Sequence, residues 1–145
     1  MKTMFLRSIV AGAGVVALLG MAPAVFAATE TYVAELKAST EVPPNDSAAA
    51  GTLTATYDTT TKKLTYSVSY TGLTGPATAA HFHGPAAAGA NAGVAVPVKD
   101  AASPIKADAT LTDAQAADLQ AGKWYFNVHT EKNKGGEIRG QLTKK

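Results

Sequence analysis

The chain has 145 residues, no cysteine, 17% charged residues and a formal net charge of +2. The missing cysteines exclude thiol catalysis, disulfide exchange, thiolate metal sites and lipid attachment through a cysteine. The lysines are scattered and form no basic face with interleaved aromatics, which speaks against a nucleic-acid partner.

In chain order, residues 1–27 are expected to be a secretory signal peptide. Lys2 and Arg7 supply the positive start, and Ile9, Ala11, Val15, Val16, Leu18 and Leu19 the apolar stretch. Pro23 breaks that stretch, and Val25-Phe26-Ala27 offers small residues to a signal peptidase. The apolar run is short of the roughly 20 residues of a bilayer span. A periplasmic or secreted location with no membrane anchor after cleavage is therefore expected, with residues 28–145 as the working domain. Lys2 and Arg7 leave with the signal segment, which levels the 13 cations with the 11 anions.

Period-two alternation dominates the rest. Tyr32, Ala34 and Leu36 alternate with Val33, Glu35 and Lys37; Leu53, Ala55 and Tyr57 with Thr52, Thr54 and Thr56. Leu64, Tyr66, Val68 and Tyr70 alternate with Thr65, Ser67, Ser69 and Thr71. Trp124, Phe126 and Val128 alternate with Tyr125, Asn127 and His129, and Ile138, Gly140 and Leu142 with Glu137, Arg139 and Gln141. Such runs write antiparallel strands with one buried and one wet face. Hairpins are predicted at Asp58–Lys63 and Asn133–Gly136, a strand end at Gly72–Pro76, and a small-residue loop over Pro85–Gly93. One short helix is predicted over Asp113–Ala121, with Thr112 and Gln115 as a capping box and Gly122 as its stop. About seven or eight short strands make an all-β fold, an antiparallel sandwich or Greek-key barrel.

The three histidines carry the chemistry. His81 and His83 share one face of an extended Ala80–His83 segment, with Phe82 on the other. Their Cα atoms are then roughly 7 Å apart, a span two imidazoles can close on one ion. His129 also lies on the polar phase of its strand. If the two strands are neighbours, three neutral imidazoles converge, a set suited to copper(II) or zinc. Glu41, Glu131 and Glu137 are carboxylates that could join or support the set. Glu41-Val42-Pro43-Pro44 reads as a rigid crossing, and Arg139 as a partner for a carboxylate.

Several segments together resemble one family. They are Glu41-Val42-Pro43-Pro44, Gly72-Leu73, Ala79-Ala80-His81-Phe82-His83-Gly84-Pro85, Trp124-Tyr125-Phe126-Asn127-Val128-His129-Thr130 and Gly136-Glu137-Ile138-Arg139-Gly140-Gln141-Leu142. In order and spacing they resemble the CHRD domain, which occurs in bacterial exported proteins and in an extracellular developmental regulator, chordin. The resemblance implies an immunoglobulin-like or superoxide-dismutase-like Greek-key β-sandwich, and it places the family's histidine motifs on His81, His83 and His129. It also suggests protein interaction, since chordin carries these repeats beside growth-factor-binding modules.

The leading expectation is an exported domain that holds copper, or alternatively zinc, through His81, His83 and His129. A non-catalytic adhesion or scaffold module that meets an envelope or extracellular protein or a polysaccharide is the alternative. A superoxide-dismutase-like enzyme is less favoured, because a bimetallic site of that kind needs more than three histidines. No serine sits in a nucleophile elbow and no carboxylate pair is marked out. The sequence leaves the oligomeric state open.

Overall fold

The computed structural model describes residues 28–145; the expected signal segment, 1–27, lies outside the described residues. Within them the elements are β1 (Thr29–Lys37), a 3₁₀ turn (Ala38–Thr40), β2 (Ala50–Asp58), β3 (Lys63–Thr71), β4 (Ala77–His83), β5 (Val94–Pro97), β6 (Ile105–Thr110), α1 (Asp113–Gln120), β7 (Tyr125–Thr130), β8 (Ile138–Gln141) and β9 (Thr143–Lys144). The chain is thus mostly strand with one short helix. Its strands pair antiparallel in the order β5-β4-β7-β8-β1-β2-β3-β6, with β9 added to β1.

This nearly closed, barrel-like sheet has two halves joined by a thin seam. Between β8 and β1 only Lys37 and Arg139 pair. Gly140 lies so close to the Glu35 carbonyl and the Leu36 side chain that a Cβ there would collide with backbone. Glycine at this crossing lets β8 approach β1 closely as the sheet curls round. The inner faces of the two halves then share one core: the Tyr66 ring meets Phe82 edge-on at 4.9 Å, and Phe82 meets Phe126 at 4.9 Å. Tyr32, Leu36, Leu53, Leu64, Val68, Ala80, Val128 and Ile138 are buried around them.

The alternation in β1, β2 and β3 is reproduced. Leu53, Ala55 and Tyr57 are buried, while Thr52, Thr54 and Thr56 face water. The hairpins at both predicted turns form, pairing Asp58 with Lys63 and Val128 with Ile138. The capping box also forms: the Thr112 side chain accepts from the Gln115 amide, and the Gln115 side chain accepts from the Thr112 amide. Gly122 follows the helix at φ +70°, the left-handed stop that glycine adopts without strain.

The wet face expected on the last two long strands is not there. In β7, Tyr125, Phe126, Asn127 and Val128 are all buried, and Arg139 in β8 is 2% exposed. The segments around 84–93 and 38–46 lie over the outer face of these strands and contribute the partners its polar groups need. Alternation reports the phase of a strand but says nothing of what a distant loop lays over it.

Glu137, just ahead of β8, shows how such burial is satisfied. Its Oε1 accepts from Ser47 Oγ at 2.6 Å and the Thr74 amide at 2.8 Å; Oε2 accepts from Thr74 Oγ1 at 2.7 Å and Thr130 Oγ1 at 2.6 Å. One carboxylate thereby ties the β1–β2 and β3–β4 connections to β7. Burial alone would raise its pKa, but the donors from Ser47, Thr130 and Thr74 outweigh burial and hold it near 2. A carboxyl depressed in the fold stabilises it above the unfolded value of 4.5, and that contribution fades as pH falls toward 2. Glu137→Gln should therefore lose on the order of 3 kcal/mol at pH 7. Denaturant titrations at pH 7, 5 and 3 should show the gap to wild type closing at the lowest pH; a gap independent of pH would contradict this role.

Candidate metal centre

β4 and β7 are neighbours, in the register His83↔Tyr125, His81↔Asn127 and Ala79↔His129. Period two puts His81, His83, Tyr125, Asn127 and His129 on one outer face, with Phe82, Phe126 and Val128 turned into the core. His129 stands diagonal to His81, a separation that long side chains bridge across a strand pair. The residue directly opposite it is only Ala79, which leaves the imidazole room.

The three predicted residues are brought together: one ligand nitrogen from each of His81, His83 and His129 lies within 4.8 Å of the others. His81 Nδ1 and His129 Nε2 stand 3.1 Å apart. Two nitrogens on one ion at 2.0–2.1 Å are roughly 2.9–3.4 Å from each other, so this pair already has the spacing of a coordination edge. His83 is 8% exposed, and its Nε2 is buried with no hydrogen-bond partner. A buried nitrogen lone pair without a donor is costly in an apo protein and fitting for a ligand.

Backbone carbonyls fix which nitrogens are free. His83 Nδ1 lies 3.0 Å from the Ala92 carbonyl, and His129 Nδ1 lies 2.9 Å from the Lys134 carbonyl. A carbonyl can only accept, so each Nδ1 carries a proton, and in the neutral ring each Nε2 presents a lone pair. His81 Nδ1 must then be the donor to His129 Nε2, and a bound cation would take that proton's place. Burial lowers the His81 pKa, with smaller contributions from His129 and His83; burial also lowers that of His83, against the Ala92 hydrogen bond. Both shifts favour the neutral, ligating form.

The loop that supplies Ala92 returns over β4 through Gly84, whose missing Cβ would strike the Trp124 ring and the Lys123 carbonyl. Its base is pinned by hydrogen bonds from the Gly84 amide to the Gly93 carbonyl and from the Ala86 amide to the Lys123 carbonyl, at 3.2 and 2.8 Å. The Tyr125 ring stacks on His83 at 4.8 Å between centroids and 4° between planes. Arg139 lies over the same ring, 3.4 Å from its centre.

The carboxylates considered from the sequence are absent from the histidine group. Glu137 is held by four donors, and Glu131 pairs with Lys134 on the surface at 2.9 Å. Glu41 is buried, but the groups acting on it are Arg139, the Asn127 side chain and the Val42 amide, not the histidines. Among the described residues no carboxylate reaches Arg139 as the expected partner in a direct ion pair, although its charge acts on Glu41; its guanidinium donates to Asn91 Oδ1 at 2.8 Å and the Ala90 carbonyl at 2.6 Å. What the sequence reading passed over is Tyr125 and the two carbonyls. The available signal was Tyr125 itself, an aromatic on the polar phase of its strand.

Fold and site together define a small antiparallel, barrel-like domain with three imidazoles converging on one outer face. The chain belongs to the CHRD family: the CHRD domain matches residues 32–142. No curated protein and no solved structure matches it.

Glu41 gives this region its own pH dependence. Burial raises its pKa to about 7, against the pull of Arg139, Asn127 and the Val42 amide, and Oε1 has no hydrogen-bond partner. A carboxyl raised above its unfolded value of 4.5 penalises the fold increasingly as pH climbs to 7, then at a constant level. Glu41→Gln is expected to be near neutral at pH 5 and stabilising by on the order of 2–3 kcal/mol at pH 8. Thermal melts at the two pH values check this, and equal effects at both would refute it.

Proposed function

We propose that this CHRD-domain protein is an exported metal-binding protein that holds one transition-metal ion through His81, His83 and His129. The observation that carries the reading is the prearranged donor set: a 3.1 Å nitrogen pair beside a buried, unpartnered imidazole nitrogen. Two of the three rings are already oriented by backbone acceptors at Nδ1, which turns each Nε2 toward the cluster, the outer support that metal-ligating histidines need.

Copper is favoured. Divalent copper outranks zinc for a given nitrogen site, and no thiolate is present to select otherwise. Zinc is the alternative. Three neutral ligands leave the full charge on the ion and at least one open position, which suits buffering, carriage or sensing. We read the location as periplasmic or secreted, from the signal segment, and the two face-to-face halves as the layers of the sandwich that the family resemblance implies. Three histidines are too few for a two-metal dismutase site, so we assign no enzymatic activity.

The test is calorimetry on the metal-free domain with copper(II) and zinc(II), repeated on His81→Ala, His83→Ala and His129→Ala. One ion per chain should bind, and each substitution should weaken it at least 10-fold. Equal weak binding by all four proteins would remove the metal reading and leave the adhesion or scaffold module.

A further inference from the structure

Resting on the metal reading, the geometry points to Arg139 as a positioning residue for His83, acting through the Tyr125 ring and the Ala90–Ala92 segment. Arg139 is 2% exposed, and among the described residues no carboxylate forms an ion pair with it. Its charge acts on Glu41 only from beyond ion-pair range, and taking a guanidinium out of water without a directly paired carboxylate is expensive. A hydrophobic side chain would fill the space at less cost, so the charge needs a purpose.

Its three contacts share one direction. The guanidinium lies on Tyr125, and Tyr125 stacks on His83. β4 and β8 flank β7 on opposite sides, so imidazole and guanidinium enclose the phenol ring between them. The guanidinium also donates to Asn91 Oδ1 and the Ala90 carbonyl, fixing the two residues before Ala92. The Ala92 carbonyl accepts from His83 Nδ1 at 3.0 Å, and the Ala92 amide donates to the Tyr125 hydroxyl at 3.2 Å. One route ends on the plane of the His83 ring and the other on its protonated nitrogen. Together they set the ring's orientation and keep Nε2 as the free donor.

A fork of planar donors is needed for this, since it must lie flat on the ring and reach two acceptors at once; lysine, a point charge, can do only one. Asn91 is exposed and also donates to the Val42 carbonyl at 3.0 Å; beside the Ala90 carbonyl it is one of two links between Arg139 and the loop.

The experiment uses the domain with ¹⁵N-labelled histidine, as wild type, Arg139→Lys, Arg139→Met and Asn91→Ala. In metal-free wild type the His83 nitrogen shifts should report a single tautomer with the proton on Nδ1. In Asn91→Ala and Arg139→Met that signal should become a tautomer mixture, with His129 unchanged and Arg139→Lys intermediate. Copper affinity should fall 10- to 100-fold in the same order, with altered copper hyperfine coupling in the electron paramagnetic resonance spectrum. Should Arg139→Met fail to fold, Arg139→Lys, which keeps the charge but loses the fork, still decides. An unchanged His83 tautomer in the folded variants would overturn the assignment. Wild type that binds no copper would overturn the metal reading alone, because the tautomer comparison needs no metal.

Discussion

The structure turns on one constraint: much of the polar face of β7 and β8, with His83 at the end of β4, has been taken out of water. Once Tyr125, Asn127, Arg139 and His83 are buried, the donors and acceptors they carry need partners other than water, and most find them within the chain. The answers come from loops. Ala90, Asn91 and Ala92 serve Arg139 and His83; Ser47 and Thr74 serve Glu137; Asn45 donates to the Glu137 carbonyl at 3.0 Å. The loops are ordered by the face they cover, and the face tolerates burial because the loops are there.

Two kinds of polar group result. Glu137 is saturated, with four donors on two oxygens, and its chemistry is exhausted by holding the fold together. Glu41 Oε1, Asn127 Oδ1 and His83 Nε2 are buried and unanswered. Saturated groups repay their desolvation locally, whereas unanswered ones lower stability unless something outside the chain completes them. The His83 nitrogen faces two further imidazoles, which makes a cation the fitting complement. Glu41 faces Gly136, Asn127 and, at longer range, Arg139, and settles its debt by taking up a proton.

Local signals in the sequence were enough for most of the scaffold. The Leu64, Tyr66, Val68 phase, the Thr112–Gln115 capping box and the turn at Asp58–Lys63 are decided within a few residues, so periodicity and cap chemistry reveal them. The histidines were legible for the same reason: each sits on the polar phase of its own strand, and adjacency of β4 and β7 was the one non-local step required. β5 was not resolved in advance, being only four residues long, and β6 was passed over although Ile105, Ala107 and Ala109 alternate with Lys106, Asp108 and Thr110. The covering of β7 and β8, the partners of Arg139 and the stitching by Glu137 were illegible because they join residues up to 99 positions apart through loops. A carboxylate was the natural guess for a buried arginine; an aromatic face and two loop acceptors took its place.

The most direct measurement is a crystal structure of the copper-soaked domain with anomalous scattering recorded at the copper edge. The account predicts one strong peak roughly 2.0–2.1 Å from a nitrogen of each of His81, His83 and His129, with the His83 and His129 Nδ1 atoms still bonded to the Ala92 and Lys134 carbonyls. A peak elsewhere on the chain, or none beside a His81–His129 pair still in contact, would contradict it.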